Sequence, residues 1–265
     1  MKKVFLTGAS SGIGLATAQA LVAHGHEVWG TSRDVKRLPS LPHFHPAAID
    51  LADPQSIATA FARAADEAGH FDVVINNAGS GHFGPGESLS EKEVAAQFQL
   101  LVFGPIQILQ AAVHSMQKQE EGLIINVTSL AARLPVPYMA AYNAAKAAMA
   151  SFTMTLQLEL SDRKIRLVDV QPADICTNFN DAVLKTSPAD PTSRLEKTWE
   201  IVARNLQTAP PPELVAKRVL KLIGERHPPP RVTIGNFFQA AFAPAIDRLL
   251  PQHVRIWGLR NYYGL

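Results

Sequence analysis

Cysteine, net charge and aromatic clusters are all scarce in this chain. A single Cys176 stands among 265 residues, so neither a disulfide framework nor a cysteine-rich metal site can form within it, and a reducing, cytoplasmic setting is expected. Basic residues number 25 and acidic residues 23, scattered along the chain, and no basic stripe points to nucleic acid. Repeats and low-complexity tracts are absent. With 47% hydrophobic and 18% charged residues, disorder, collagen and coiled coil are excluded. Behind Met1-Lys2-Lys3 only Val4-Phe5-Leu6 is apolar before Thr7-Gly8. That is too short for a signal peptide, and no secretion is expected.

The longest charge-free run covers residues 94–117. It carries Gln97, Gln99, Gln107, Gln110, His114, Gln117 and Gly104-Pro105, so it reads as a buried or interface helix rather than a membrane span. At this length a chain buries about three-quarters of its unfolded surface, and one domain is expected.

What is present is an alternation of strand and helix patterns. Val4-Phe5-Leu6 ends at a Gly/Ser-rich turn, and a helix over 13–23 ends at His24-Gly25. Short strands follow at 28–31 and 45–49, then a helix over 54–68 with Pro54 in its first turn. Val73-Val74-Ile75 and Leu123-Ile124-Ile125-Asn126-Val127 are apolar runs of the kind covered on both faces. Helices at 90–118 and 142–160 lie between strands, with further strands at 165–170 and 231–234 and a helix over 213–223. A βα repeat of this kind builds a doubly wound parallel sheet of Rossmann type. Residues 174–212 break the regularity: Ser187-Pro188-Ala189-Asp190-Pro191 and 209–212 read as loops around a short helix near 195–205. This insertion is expected to cover a site, and 235–265 forms a C-terminal extension.

The first βα turn reads Thr7-Gly8-Ala9-Ser10-Ser11-Gly12-Ile13-Gly14. Glycines let the backbone approach a pyrophosphate, and the helix that follows presents free amides and the positive end of its dipole to the anion. The second strand bears on which dinucleotide binds. An acid about 20 positions after the glycines would take the ribose 2′-OH of NAD, whereas a nearby Arg accommodates the 2′-phosphate of NADP. Ser32 stands at the strand end and Arg33 follows, which favours NADP. Were the strand two residues longer, Asp34 would supply the acid and NAD would be preferred.

Tyr142-Asn143-Ala144-Ala145-Lys146 opens an alanine-rich helix. Residues four apart share a face, which sets the Lys146 ammonium near the Tyr142 phenol and would lower the pKa of that phenol. Thirteen positions upstream of Tyr142, Ser129 follows the fifth strand, and Asn76-Asn77-Ala78-Gly79 ends the fourth. Both lie where open α/β sheets bind ligands.

In that order, Thr-Gly-x-x-x-Gly-Ile-Gly, Asn-Asn-Ala-Gly, Ser and Tyr-x-x-x-Lys, the motifs resemble those of the short-chain dehydrogenase/reductases over about residues 3–177. The resemblance implies an alcohol–carbonyl oxidoreductase with NADP as cofactor. Tyr142 would be its acid/base and Ser129 would bind the substrate oxygen. Lys146 would both tune the tyrosine and bind the nicotinamide ribose. Gly8, Ser10, Ser11, Gly12, Ile13, Gly14, Arg33, Asp50, Leu51, Asn77, Ala78, Gly79, Tyr142, Lys146, Pro172, Ala173, Ile175 and Thr177 would line the cofactor. Leu101 replaces the Asn of the family's proton relay, and Ala173 replaces the Gly that usually follows the sixth-strand proline.

Segments 227–234 and 249–265 are loosely similar to 17β-hydroxysteroid and retinol dehydrogenases, which implies a bulky apolar substrate such as a steroid, a retinoid or an aromatic carbonyl. Leu134 to Met139, just before Tyr142, suit that reading. The resemblance also implies a homodimer or tetramer. A competing reading keeps the NADP groove but makes the chain a sensor or scaffold with weak catalysis, and a third has the tail at 237–265 touching membranes. His24 with His26 and His43 with His45 are read as surface residues, and no metal is expected. Trp199, Trp257 and Tyr262-Tyr263 read as packing or interface anchors.

Overall fold

The computed structural model describes residues 1–185, 193–247 and 249–265, so the expected loop at Ser187–Pro191 lies outside the described residues. Seven strands form one parallel sheet: β1 (Lys3–Leu6), β2 (Glu27–Ser32), β3 (Phe44–Ala48), β4 (Val73–Asn76), β5 (Glu121–Val127), β6 (Lys164–Pro172) and β7 (Arg231–Ile234). Their spatial order is β3-β2-β1-β4-β5-β6-β7. The chain winds outward from β1 to β3, returns to the middle at β4, and winds outward on the other side. The fold is a single doubly wound Rossmann-type domain.

Successive side chains on a strand point to opposite faces, which gives the sheet its two cores. Val4 and Leu6 join Val28, Val73, Ile75, Ile125 and Val168 on one face. There they meet Ala18 and Leu21 of α1 (Gly12–Ala23) and Val215, Val219 and Leu222 of a late helix, Glu213–Gly224. Phe5, Trp29, Val74, Ile124 and Leu167 point the other way. They bury Ile57 and Phe61 of α2 (Pro54–Ala68), Ile108, Leu109, Ala112 and Met116 of α4 (Gly104–Gln119), and Met149 of α5 (Ala140–Glu159). Asp53 caps α2 by accepting from the Gln55 amide at 2.9 Å, with Pro54 in the first turn as its fixed φ favours.

The helix expected at 90–118 divides in two. Helix α3 (Glu91–Phe98) carries a Ser90–Glu93 capping box, and a wider π turn, Gln99–Phe103, links it to α4. Pro105 lacks an amide and would press on the carbonyl four residues back, and the widened turn relieves both problems. Length and composition alone would let Glu91–Gln119 cross a membrane. In the fold, α4 instead lays its apolar stripe on the sheet.

Helix α6 (Arg194–Gln207) lies within the insertion, α7 is the late helix Glu213–Gly224, and α8 (Gln252–Tyr262) belongs to the tail.

Candidate active site

A cavity of about 1100 Å³ opens beyond the carboxyl ends of the central strands, where strand order reverses between β1 and β4. Every residue expected to act in catalysis or to line the cofactor lines this cavity. Gly8, Ser10, Ser11, Gly12, Ile13 and Gly14 come from the first turn, Arg33 from beyond β2, and Asp50 and Leu51 from beyond β3. Asn77, Ala78 and Gly79 follow β4, Ser129 follows β5, Tyr142 and Lys146 project from α5, and Pro172, Ala173, Ile175 and Thr177 lie at and after the end of β6.

The first turn fits a pyrophosphate on its own geometry. Gly8 and Gly12 have φ of 72° and 50°. A Cβ on Gly14 would stand 2.0 Å from the Gly8 carbonyl oxygen, and one on Gly8 would stand 2.8 Å from the Ala78 Cα. Ser11, the N-cap of α1, makes no side-chain cap bond, and no acid stands in the first turn, so the leading amides are left for an anion. Asn77 holds the turn in place, its Nδ2 donating to Thr7 O at 2.9 Å while its own amide donates to Thr7 Oγ1 at 2.9 Å.

Strand β2 ends at Ser32, and the longer strand that would carry Asp34 to the ribose is not formed. Asp34 caps the single turn Val35–Arg37 instead, accepting from the Lys36 amide at 3.0 Å. Arg33 is exposed at the cavity edge.

Ser129 caps the turn Leu130–Ala132, its Oγ accepting from the Ala131 amide at 3.1 Å. Its hydrogen bond to Tyr142 joins the two hydroxyls of the site. Lys146 donates from Nζ to Val127 O at 2.9 Å and stands 5.8 Å from the centroid of the Tyr142 ring. Sequence spacing predicted a phenol lowered by this ammonium, but burial decides both groups. It pushes Tyr142 up to about 12, with the Ser129 bond opposing and the Asp174 charge adding. It draws Lys146 down to about 8 against the attraction of Asp169.

Leu101 contributes to the apolar surroundings of the lysine. It is buried, and a Cβ built on Gly79 would lie 3.1 Å from its Cδ2 and 3.7 Å from Lys146 Nζ. Gln99, by contrast, turns aside and donates to Leu51 O at 3.1 Å. The methyl of Ala173 faces Gly235, where any Cβ would come within 2.6 Å of it.

The shift of Lys146 has a measurable consequence. Below about pH 8 it is protonated in both states, and its burial penalty is fully present. Between about pH 8 and 10 only the unfolded chain keeps the proton, so stability rises with pH by on the order of 2 kcal/mol. Above pH 10 the unfolded Tyr142 ionises while the native one does not, and stability falls again. Urea unfolding of the cofactor-free protein should show this rise, and Lys146→Met should abolish it. An unchanged slope in the variant would contradict the assignment.

Some residues of the cavity were not anticipated. Phe179 and, from α6, Trp199, Val202 and Leu206 of the insertion line it, and the tail adds a second wall with Phe238, Phe242, Ile246, Leu250 and Leu259. Asp174, Gln239 and Tyr262 meet there: Gln239 Nε2 donates to Asp174 Oδ2, and also to Tyr262 Oη at 3.2 Å. Only the place of Asp174, two residues after Pro172, could have drawn attention to it.

The short chain dehydrogenase family model matches residues 2–188. A 3-ketodihydrosphingosine reductase of Bacteroides thetaiotaomicron is 31% identical over 266 residues, covering 99% of this chain and 98% of the relative. A solved short chain dehydrogenase from Burkholderia cenocepacia in complex with NADP is 25% identical with a TM-score of 0.71, covering 94% of this chain and 98% of that one. The fold is also that of a short-chain dehydrogenase/reductase from Burkholderia phymatum in complex with NAD, with a TM-score of 0.81 at 23% identity, covering 97% of this chain and 94% of that one. With its Rossmann sheet, its glycine turn and the Ser129, Tyr142 and Lys146 constellation, this chain belongs to the short-chain dehydrogenase/reductase family of nucleotide-binding oxidoreductases.

Proposed function

We propose that the chain is an NADP(H)-dependent carbonyl reductase and alcohol dehydrogenase acting on an elongated, largely apolar molecule. One observation carries this reading: a single cavity holds the glycine turn, Arg33 and the Ser129–Tyr142–Lys146 group, then continues into a wall of apolar side chains. The likeness to a relative named for a long-chain keto compound supports the same substrate shape.

Bound in the groove, the nicotinamide supplies or accepts the hydride. Tyr142, neutral through burial, donates its proton to the substrate oxygen during reduction and takes it back during oxidation. Ser129 Oγ, hydrogen-bonded to Tyr142, holds that same oxygen beside the phenol. Burial draws Lys146 down to about 8, which leaves it largely protonated at neutral pH, so its charged form is available to stabilise phenolate. With the cofactor bound, Ser10, Ser11 and the leading amides of α1 would hold the pyrophosphate, Arg33 would take the 2′-phosphate, and Ile175 and Thr177 would line the nicotinamide end of the groove. A homo-oligomer belongs to the same reading, since Phe103 of the π turn before α4 and Met154 and Leu158 of α5 stand exposed.

A titration followed by nicotinamide fluorescence tests the cofactor preference. Wild-type protein should bind NADPH more tightly than NADH. Arg33→Ala should weaken NADPH by about 30-fold, the worth of a charge-assisted contact of roughly 2 kcal/mol, and leave NADH unchanged. A wild-type preference for NADH, or an NADPH affinity indifferent to Arg33, would overturn it.

The sensor reading is favoured by one observation, the buried Leu101 that leaves Lys146 without a polar neighbour on that side. It predicts tight cofactor binding without turnover.

A further inference from the structure

Asp174 is an acid with no counter-ion among the described residues. It lines the cavity, and among the described residues no Lys, Arg or His pairs with it. Among the described residues its hydrogen bond is from Gln239 Nε2, accepted through Oδ2. Asp174 lines the same cavity as Ser129, Tyr142 and Lys146, and its charge adds to the upward shift of the Tyr142 phenol. Burial holds its carboxyl above the usual carboxylate range.

A second acceptor beside it lacks a donor. Gln239 uses its amide nitrogen on Asp174 and Tyr262, while its Oε1 is buried with no partner. Tyr262 is itself fixed by Asn205, whose Nδ2 donates to its hydroxyl at 3.2 Å. Uncompensated acceptors in an apolar cavity are costly, and a carboxylate among them is the costliest. A ligand that brings several N–H donors and a positive charge removes that cost and favours the ionised form of the carboxyl. The surrounding wall, Val202, Leu206, Phe238, Phe242 and Ile246, is apolar and suits an alkyl chain, with Arg255 of α8 lining the same cavity.

We propose that Asp174, held in place by Gln239, binds a primary ammonium standing next to the reacting carbonyl, so that the substrate is a long-chain amino ketone and the product its amino alcohol. The assignment rests on the carbonyl-reductase reading for the reaction, but the ammonium site can be measured without it.

Two pairs of compounds test it. The first pair is a long-chain 2-amino alcohol and the same alcohol without the amine, bound to the NADPH complex and followed by tryptophan fluorescence, since Trp199 lines the cavity. Wild type should bind the amine at least about 30-fold more tightly, the usual scale for a buried charge pair. Asp174→Asn retains an acceptor for Gln239. It should erase that preference and leave the amine-free alcohol unchanged. The second pair is 3-ketodihydrosphingosine and its des-amino ketone, followed by NADPH consumption. In Asp174→Asn, the ratio of kcat/KM for the first to that for the second should fall by about 30-fold.

Equal binding of the two alcohols by wild type would overturn the proposal. So would a preference that survives Asp174→Asn, or a loss that strikes both compounds alike and so marks a purely structural role. Amine-selective binding that depends on Asp174, without reduction of either ketone, would uphold the ammonium site and overturn the reductase reading instead.

Discussion

Tyr142→Phe should lower turnover by about a thousandfold, in the range that general acid–base catalysis contributes, while leaving NADPH affinity within about twofold. The variant removes one atom and little else. The Tyr142 ring packs at 5.7 Å from Phe179 and sits under Lys146, and Phe keeps both contacts. Ser129 loses a hydrogen-bond partner but keeps the Ala131 amide, so the stability cost should be about 1 kcal/mol. What disappears is the single buried proton donor that Ser129 aligns. Turnover within about tenfold of wild type would remove Tyr142 from the chemistry, since a general acid cannot be that dispensable.

Gly14→Ala should have an effect of comparable size by a different route, through the turn that carries the cofactor. The added Cβ would meet the Gly8 carbonyl oxygen at 2.0 Å and Asn77 Nδ2 at 2.5 Å. Neither neighbour yields easily, because Gly8 already sits at φ 72° and Asn77 Nδ2 is tied to Thr7 O at 2.9 Å. Relief therefore requires moving the turn away from β4. Overpacking of this kind costs about 3 kcal/mol, and NADPH affinity should fall by about a hundredfold or more as the amides lose their alignment. Gly224→Ala is the control. A Cβ at Gly224 meets nothing within 4 Å, so stability should change by no more than about 0.5 kcal/mol. Denaturant unfolding and NADPH titration of both variants check the pair. Equal effects at the two glycines would mean that the contact at Gly14 is not what the turn depends on.

Much of this was legible in the sequence because it is local. Val4-Phe5-Leu6 and Val73-Val74-Ile75 are apolar without alternation because both faces of the central sheet are covered, and they lie side by side in it. Pro54 marks the first turn of α2, and the glycines of the first turn mark the close approach of backbone to backbone. The extent of β2 was left open by the sequence. It is settled by Asp34, whose carboxylate is taken up by the Lys36 amide beyond the strand.

What escaped the sequence depends on distant partners or on depth. The break in the helix at Gln99–Phe103 could be suspected from Pro105, but the wider turn also needs the Leu51 carbonyl, which Gln99 reaches across 48 positions. The electrostatics of Tyr142 and Lys146 follow from burial, which their spacing of four does not reveal. Asp174 and Gln239 lie 65 residues apart and carry no motif. Their meeting is a product of the tail folding back over the cavity, where the sequence suggested only an apolar extension.

The central claim is most directly tested by wild-type protein mixed with NADPH and, separately, NADH, with a long-chain ketone added and nicotinamide absorbance followed. The account predicts ketone-dependent loss of absorbance with NADPH, slower with NADH, yielding the alcohol in equal amount. Tight NADPH binding with no ketone-dependent loss would contradict it and leave a nucleotide-binding protein in which Ser129, Tyr142 and Lys146 stand together without performing the reaction.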